Sequence, residues 1–437
     1  MILVVAIGIS VAGRSSTVPA PVAERPPSSR EVVTSASGGP AAPAGRATAG
    51  SPGVVDSLTR AGKDLLWHAR QWGDLHRVVL AESAAYHALE IDSAYVPALN
   101  LMSLALSVEG RLEDVLFVQN WSIVCELRNP ESWGILGDAF MDLGKYRDAD
   151  SCYTRMYHVG QGLRSRMRMA RWEFEVGDPD SALARMKEAI EIGENEVNPV
   201  GGWVLQDAAR EKESEEDARR NLADAYVRQG TMLLSRGRWD EALSSAEKSL
   251  AAVPGFVPAL ALKADLLRLD RKYGESAVIY QRLIAASEDP GFKSALAKVY
   301  AERSRTPTAA RLVREAKREY KARLAKFTKA TRSEYAAFLL DWSLDPDEAL
   351  ALAYEESRRR RGVGSYDLLA RAYYRKRQHD LAWSSIGLAL RSGTQNPRVL
   401  YHAALIAKAN GDEVKRKSYA EKARQMNPKC DRQYGSF

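Results

Sequence analysis

Six histidines are spread along the chain at positions 68, 76, 87, 158, 379 and 402. None falls in an H-E-x-x-H pair, or beside a carboxylate at a spacing that would gather metal ligands on one helical face. His76 and His87 lie about three helical turns apart and can share a face, but two imidazoles without a third donor read as helix-surface side chains. Cys125, Cys152 and Cys430 contain no C-x-x-C pair, which removes a structural zinc site and a disulfide-framed scaffold. A G-x-S-x-G elbow and a phosphate loop ending in Lys-Ser/Thr are both missing, and Gly362-Val363-Gly364 reads as a turn between helices. Asn120-Trp121-Ser122 matches a glycosylation sequon but falls inside a helical stretch. With no nucleophile, metal set or cofactor loop, the expectation is a protein that is not an enzyme and uses neither cofactor nor metal.

Charge supplies the other candidate chemistry. Sixty-three Lys and Arg against 56 Asp and Glu give a net +7 over 437 residues, a mild excess that is no nucleic-acid signature by itself. Residues 311–332 concentrate nine basic and two acidic side chains, and Arg358 to Arg361, Arg371, Arg375, Lys376 and Arg377 follow. Such clusters attract phosphates or acidic polymers, but Tyr320 and Phe327 are the only aromatics available there for base stacking. A solvated helix face explains the same residues.

The elements that position these side chains begin after a distinct leader. Residues 2–12 form an apolar run ending in small residues, read as a signal peptide or short anchor and hence as an exported, periplasmic or membrane-associated protein, with a cytoplasmic location as the alternative. Residues 13–55 hold Pro, Gly, Ser and Ala with no aromatic side chain, the composition of a flexible linker, and folding is expected from residue 56 to 437. A body with 45% hydrophobic residues buries a sizeable core, and apart from the leader no apolar run approaches a bilayer span of about 20 residues.

A period of 34 residues organises that body. Trp133, Leu136, Gly137 and Phe140 precede Gly144, and Tyr146, Asp148, Ala149, Tyr153 and Met156 follow it. Gly110 to Gly144, Gly237 to Arg271 and Arg377 to Gly411 are each 34 apart. Further units surround Gly177, Arg305 and Leu344, and an earlier one ends in Ala88, Leu89 and Asp92, which makes nine to ten helical hairpins. Small residues such as Gly137, Ala149, Ala242, Ala264, Ala370 and Ala382 let two helices approach, and Trp133, Tyr153, Tyr280 and Tyr373 fill the space left. Gly110, Gly144, Gly237 and Gly411 suit a left-handed turn after the first helix. Asp178 with Pro179, and Asp345 with Pro346, look like caps of second helices. Cys125 and Cys152 occupy adjacent units as buried thiols, with a disulfide between them left open. The period breaks between Gly177 and Gly237, where residues 195–221 read as a charged insertion containing the run REKESEEDARR.

These units resemble the tetratricopeptide repeat, and residues 334–356 (EYAAFLLDWSLDPDEALALAYEE), 366–375 and 388–412 are similar to bacterial tetratricopeptide proteins known only as repeat proteins. The resemblance implies an all-α, right-handed α-solenoid whose first helices line a concave groove that holds a protein or peptide. Carried onto this chain, the groove residues are Asn100, Asp138, Met141, Asp142, Asp265, Asp367, Arg371, Tyr374, Arg375, Tyr401, His402 and Lys408. The lysine and asparagine set with which some such proteins clamp a terminal carboxylate is not reproduced, and Arg271 and Arg377 stand where the pattern asks for glycine. The expected function is a non-enzymatic interaction scaffold for a protein or peptide of unknown identity. The alternative is a basic solenoid that binds nucleic acid or another polyanion through residues 311–332 and 358–377.

Overall fold

The computed structural model of the chain describes residues 52–197 and 208–435. The apolar run at 2–12, nearly all of the linker and residues 198–207 of the insertion lie outside the described residues. Within them the backbone is helical, with turns between helices and no strand. Helices pair as α1 (Pro52–Trp72) with α2 (Leu75–Ile91), α3 (Val96–Val108) with α4 (Leu112–Cys125), and α5 (Pro130–Asp142) with α6 (Tyr146–Val159). They continue as α7 (Leu163–Val176) with α8 (Pro179–Val197), α9 (Ala208–Ser235) with α10 (Trp239–Ala252), and α11 (Val257–Leu269) with α12 (Tyr273–Ala286). The remaining pairs are α13 (Pro290–Glu302) with α14 (Thr306–Lys326), α15 (Thr328–Asp341) with α16 (Pro346–Arg359), α17 (Val363–Arg375) with α18 (His379–Leu390), and α19 (Pro397–Ala409) with α20 (Glu413–Met426). A single turn, α21 (Cys430–Tyr434), closes the series. Helix α1 starts at Pro52, four residues before the expected boundary. From Ala208 the charged run is helical and continuous with α9, where Arg220 lies over the Trp67 ring at 5.1 Å and reaches Asp64 at 3.0 Å.

Local chemistry explains these boundaries. Asn129, Asp289 and Asn396 cap α5, α13 and α19 with their side-chain oxygens, each followed by a proline at the first helical position. Asp178 accepts from the amides of Asp180 and Ser181, as expected of a cap. Asp345 does not: its backbone is left-handed at φ 35° and its carboxylate is taken by Lys317 from α14. Inside the hairpins Ala149, Ala242, Ala264, Ala370 and Ala382 are fully buried, and a Cβ on Gly137 would overlap the Tyr153 ring. The cysteines are all free, with Cys152 and Cys430 buried and Cys125 half-buried.

Stacking gives the ten hairpins an inner and an outer layer. Successive odd-numbered helices pack on each other along the whole series, whereas successive even-numbered ones do not to a comparable extent, so the odd helices lie on the tighter, inner radius. The stack curves until it meets itself. The turn inside each of the first five hairpins rests on the connection that follows the hairpin five places later. Trp72 O accepts from Ser287 Oγ at 2.6 Å, Gly110 lies against the backbone of Lys329 at the start of α15 while its carbonyl also takes Arg359 from the end of α16, Leu143 O accepts from the Arg361 amide at 3.1 Å, and Tyr146 Oη accepts from the Val363 amide at 2.8 Å. Gly393 lies beside Val176 O, and Arg236 beside Met426 Sδ at 2.9 Å. The Trp67 ring stacks on Phe256 at 5.3 Å, which seals the first of these seams.

At Gly144 this seam leaves no room for a side chain. Gly144 has φ +74°, and a Cβ there would stand 2.5 Å from the carbonyl oxygen of Arg361 and from the amide nitrogen of Gly362, both backbone atoms that cannot swing away. The turns of the sixth to ninth hairpins hold Arg271 (φ 64°), Ser304 (φ 60°), Ser343 (φ 54°) and Arg377 (φ 59°) instead, whereas Gly411 in the tenth is glycine with nothing within 4 Å of its Cβ position. The four non-glycine residues adopt the same left-handed backbone at a cost of roughly 1–2 kcal/mol each. Two of these positions are one residue earlier than the pattern suggested, Ser304 rather than Arg305 and Ser343 rather than Leu344.

Candidate binding face along the inner helices

The inner face is a ladder of ion pairs that join one hairpin to the next. Glu131 on α5 takes a bidentate contact from Arg168 on α7 (2.8 and 3.0 Å) and a second arginine, Arg164, at 2.8 Å. Arg168 also reaches Asp138 at 2.8 Å, and Arg171 binds Asp142 at 2.5 Å. Further along, Arg268 reaches Glu302 at 2.7 Å, and Asp341 on α15 is shared between Lys298 of α13 (2.8 Å) and Arg371 of α17. Asp367 on α17 accepts from His402 on α19 at 2.6 Å and faces Arg398 at 4.0 Å.

Electrostatics follow from this packing. Burial opposes the charge on Glu131, but the guanidiniums of Arg164 and Arg168 outweigh it and hold its carboxyl at about 2. Asp138 is lowered in the same way, against its burial, by Arg168 and Arg171. Burial pulls His402 below its usual value despite Asp367 beside it, so near neutral pH the ring is uncharged and gives its Nδ1 proton to that carboxylate. Glu175 lacks a direct partner among the described residues and is raised by burial, which Arg171 and Arg398 only partly offset.

Of the residues expected to line the groove, Asp138, Asp142, Asp265, Arg371 and His402 lie on the inner face, and each is engaged by a side chain of the protein itself. Asp367 is there too, but buried. Asn100 and Met141 are not available to a partner: Asn100 Oδ1 is buried and accepts from Gln119, Ser122 and Ser132, and Met141 packs into the core with Tyr153 and Trp133. Tyr401 is buried against Tyr434, with 5.7 Å between ring centroids. Tyr374 stands near His379, and Arg375 and Lys408 are exposed at the ends of α17 and α19.

What the motif frame did not foresee is that two distant groups of these residues meet. The seam at Leu143–Arg361 brings α5 and α7 opposite α17 and α19 around a cavity of about 310 Å³, lined among others by Asp142, Arg171, Glu175, Arg360, Asp367 and Arg398. Arg398 is half-exposed, and its one ion-pair contact among the described residues is with Asp367 at 4.0 Å. Glu131, Arg168 and Arg171 escaped the sequence reading, although they carry a signal: an acid on one first helix followed by an arginine about 30 residues on, as in Asp138 with Arg168 or Asp341 with Arg371. Among the described residues no group of histidine, cysteine and carboxylate side chains could hold a metal, and no helix is long and apolar enough to cross a membrane.

No protein-family model and no curated protein matches the sequence. Solved structures do. A thermophilic tetratricopeptide protein of Thermus thermophilus is 18% identical over 49% of this chain and 98% of its own, with a TM-score of 0.37. Yeast Tom70 is 13% identical over 87% of this chain and 86% of its own, at 0.36, and the human IFIT1 dimer bound to m7Gppp-AAAA is 14% identical over 72% and 68%, at 0.43. The fold is a tetratricopeptide-type α-solenoid, as the 34-residue period and the hairpin packing already require.

Proposed function

We propose that this solenoid is a non-enzymatic scaffold that grips an extended protein segment on its inner face, in the cavity between α7, α17 and α19. The observation that carries this reading is the contrast within that cavity. Most inner-face charges are satisfied by the next hairpin, but Glu175 has no direct partner among the described residues and Arg398 has only a distant one. A peptide bearing a basic and an acidic side chain a few residues apart would answer both. It would return the Glu175 carboxyl toward its ordinary value and give Arg398 a hydrogen-bonded carboxylate, contacts of the charge-assisted kind. Asp142, Arg171 and Arg371 hold the wall rigid around them, which lowers the ordering cost of binding.

Affinity capture from the native host by the full chain, compared by quantitative mass spectrometry with Glu175→Arg/Arg398→Glu, tests this. The reading expects a protein enriched by the natural chain and lost with the double variant. Unchanged capture by a double variant of unaltered helical content refutes it. Arg371→Glu with Arg375→Glu should act in the same direction, but Arg371 also ties α17 to Asp341, so the first pair is the cleaner perturbation.

The polyanion reading has weaker support. Of the nine basic residues in 311–332, Arg311, Lys317, Lys321, Arg323 and Arg332 face carboxylates of the protein itself. The cations left over are Arg314, Arg318, Lys326 and Lys329. Binding of a generic polyanion that falls steeply with salt would favour it.

A further inference from the structure

The first seam borders a second cavity, of about 340 Å³, apart from the one between α7, α17 and α19. The first coil contributes Gly73, Leu75 and His76, where the chain turns into α2. The second coil contributes the connection at Ser287 and Glu288, with Lys293 of α13 and the C-terminal half of α14. The volume lies within the range of about 300–1,000 Å³ of small-molecule sites. Part of the wall is apolar, made by Leu75 and by Phe327, whose ring meets the His76 ring edge-on at 5.3 Å.

The charges of the wall are unequally matched. Lys293 and Glu319 pair with each other. Arg323, whose side chain is only 15% exposed, has no such partner: Asp289 Oδ1 stands 3.8 Å away, too far for a hydrogen bond, and already accepts from the Gly291 amide at 2.8 Å. Nε and Nη1 of Arg323 are buried and donate to nothing among the described residues. Buried charged donors left unanswered are costly, and an unmet one points to a missing acceptor. Lys326, one turn further along α14, is exposed and has neither an ion pair nor a hydrogen bond among the described residues. Lys293, Arg323 and Lys326 stand against Glu288 and Glu319, so the wall carries an excess of one positive charge. A dianionic phosphate would overturn that balance, whereas a single carboxylate completes it. We infer that the first seam binds a small organic monocarboxylate, its apolar body on Leu75 and Phe327 and its carboxylate taken by Arg323 and Lys326 in charge-assisted hydrogen bonds. Such a ligand touches both coils and ties them together.

Benzoate is the probe, with acetate supplying the carboxylate without the body and benzyl alcohol the body without the charge. For a dissociation constant of about 1 mM, benzoate at about 10 mM should raise the thermal midpoint of the full chain by about 1–2 °C. It should also slow amide exchange in residues 73–76 and 287–293 together, although the two segments belong to different coils. Acetate and benzyl alcohol, at the same concentration and ionic strength, should each do less than half as much. Arg323→Gln and Lys326→Gln should each weaken benzoate binding about tenfold. Lys326 is exposed, so its variant keeps the measurement interpretable even where Arg323→Gln unfolds. A midpoint unmoved by benzoate, a rise matched by acetate, binding indifferent to Lys326→Gln, or protection confined to the cavity between α7, α17 and α19 would overturn the proposal. Protein capture through Glu175 and Arg398 is read by a different assay at a different seam, so either reading can fail without the other.

Discussion

Replacing Gly144 by alanine isolates the seam that closes the stack on itself. Two penalties act at this site. The left-handed backbone at φ +74° disfavours any Cβ by roughly 1 kcal/mol. The new methyl would also stand 2.5 Å from the backbone of Arg361 and Gly362, so the seam must open or the hairpins must shift, an overpacking cost of about 1–3 kcal/mol. Gly411 provides the internal reference: its φ is +73°, and nothing lies within 4 Å of where its Cβ would be. Gly411→Ala should therefore cost about 1 kcal/mol and Gly144→Ala about 2–4 kcal/mol. Urea denaturation gives both numbers. Amide exchange gives their location, because the Arg361 and Val363 protons bonded to Leu143 O and Tyr146 Oη should lose protection in Gly144→Ala only. Equal costs for the two alanines, with those amides still protected, would mean that the coils do not bear on each other, and the account of the Gly144 turn would fall with it.

Glycine at the left-handed arginines should do the reverse: Arg271→Gly and Arg377→Gly are each expected to stabilise by about 0.5–1 kcal/mol, read as a rise of roughly 1–2 °C in the thermal midpoint, and a fall would show that these arginines do more than fill a turn. The pairing of Glu131 predicts an acid limb. Its carboxyl is held at about 2 in the fold against 4.5 ordinarily, so its contribution, on the order of 3 kcal/mol, is complete above pH 4.5 and is lost as pH falls toward 2. Denaturation profiles of Glu131→Gln should lack that limb. Glu175 has the opposite sign: a carboxyl raised by burial holds its proton longer in the folded state, so it erodes stability as pH rises above the ordinary carboxylate value of 4.5. Glu175→Gln should gain stability relative to the natural chain as pH rises from 4 to 8, and a uniform offset across that range would contradict the assignment.

The hairpins were legible because their determinants are local and repeat. Gly110, Gly144, Gly237 and Gly411 are left-handed as expected, and so are Arg271 and Arg377, which occupy the glycine slots without being glycine. The groove was less legible. A slot pattern specifies which way a side chain points and says nothing of who answers it, and Asn100 is claimed by three hydrogen-bond donors from within the stack. The Asp345 cap failed for a similar reason, because Lys317, 28 residues earlier, takes its carboxylate. Nothing in the sequence marks Leu143 and Arg361 as neighbours. Their contact spans more than 200 residues and depends on the summed curvature of five hairpins, to which every packing pair contributes a little.

That span has a bearing on biosynthesis. As the chain emerges from the ribosome at about 5–20 residues per second, the Gly144 bend appears roughly 10–40 seconds ahead of the segment it must rest on. Until then the early coils have finished interiors but an open rim, and a linear repeat protein never passes through such a stage. Chaperones that shield bare backbone would find their substrate in this interval, and slow codons placed between the two halves would lengthen it.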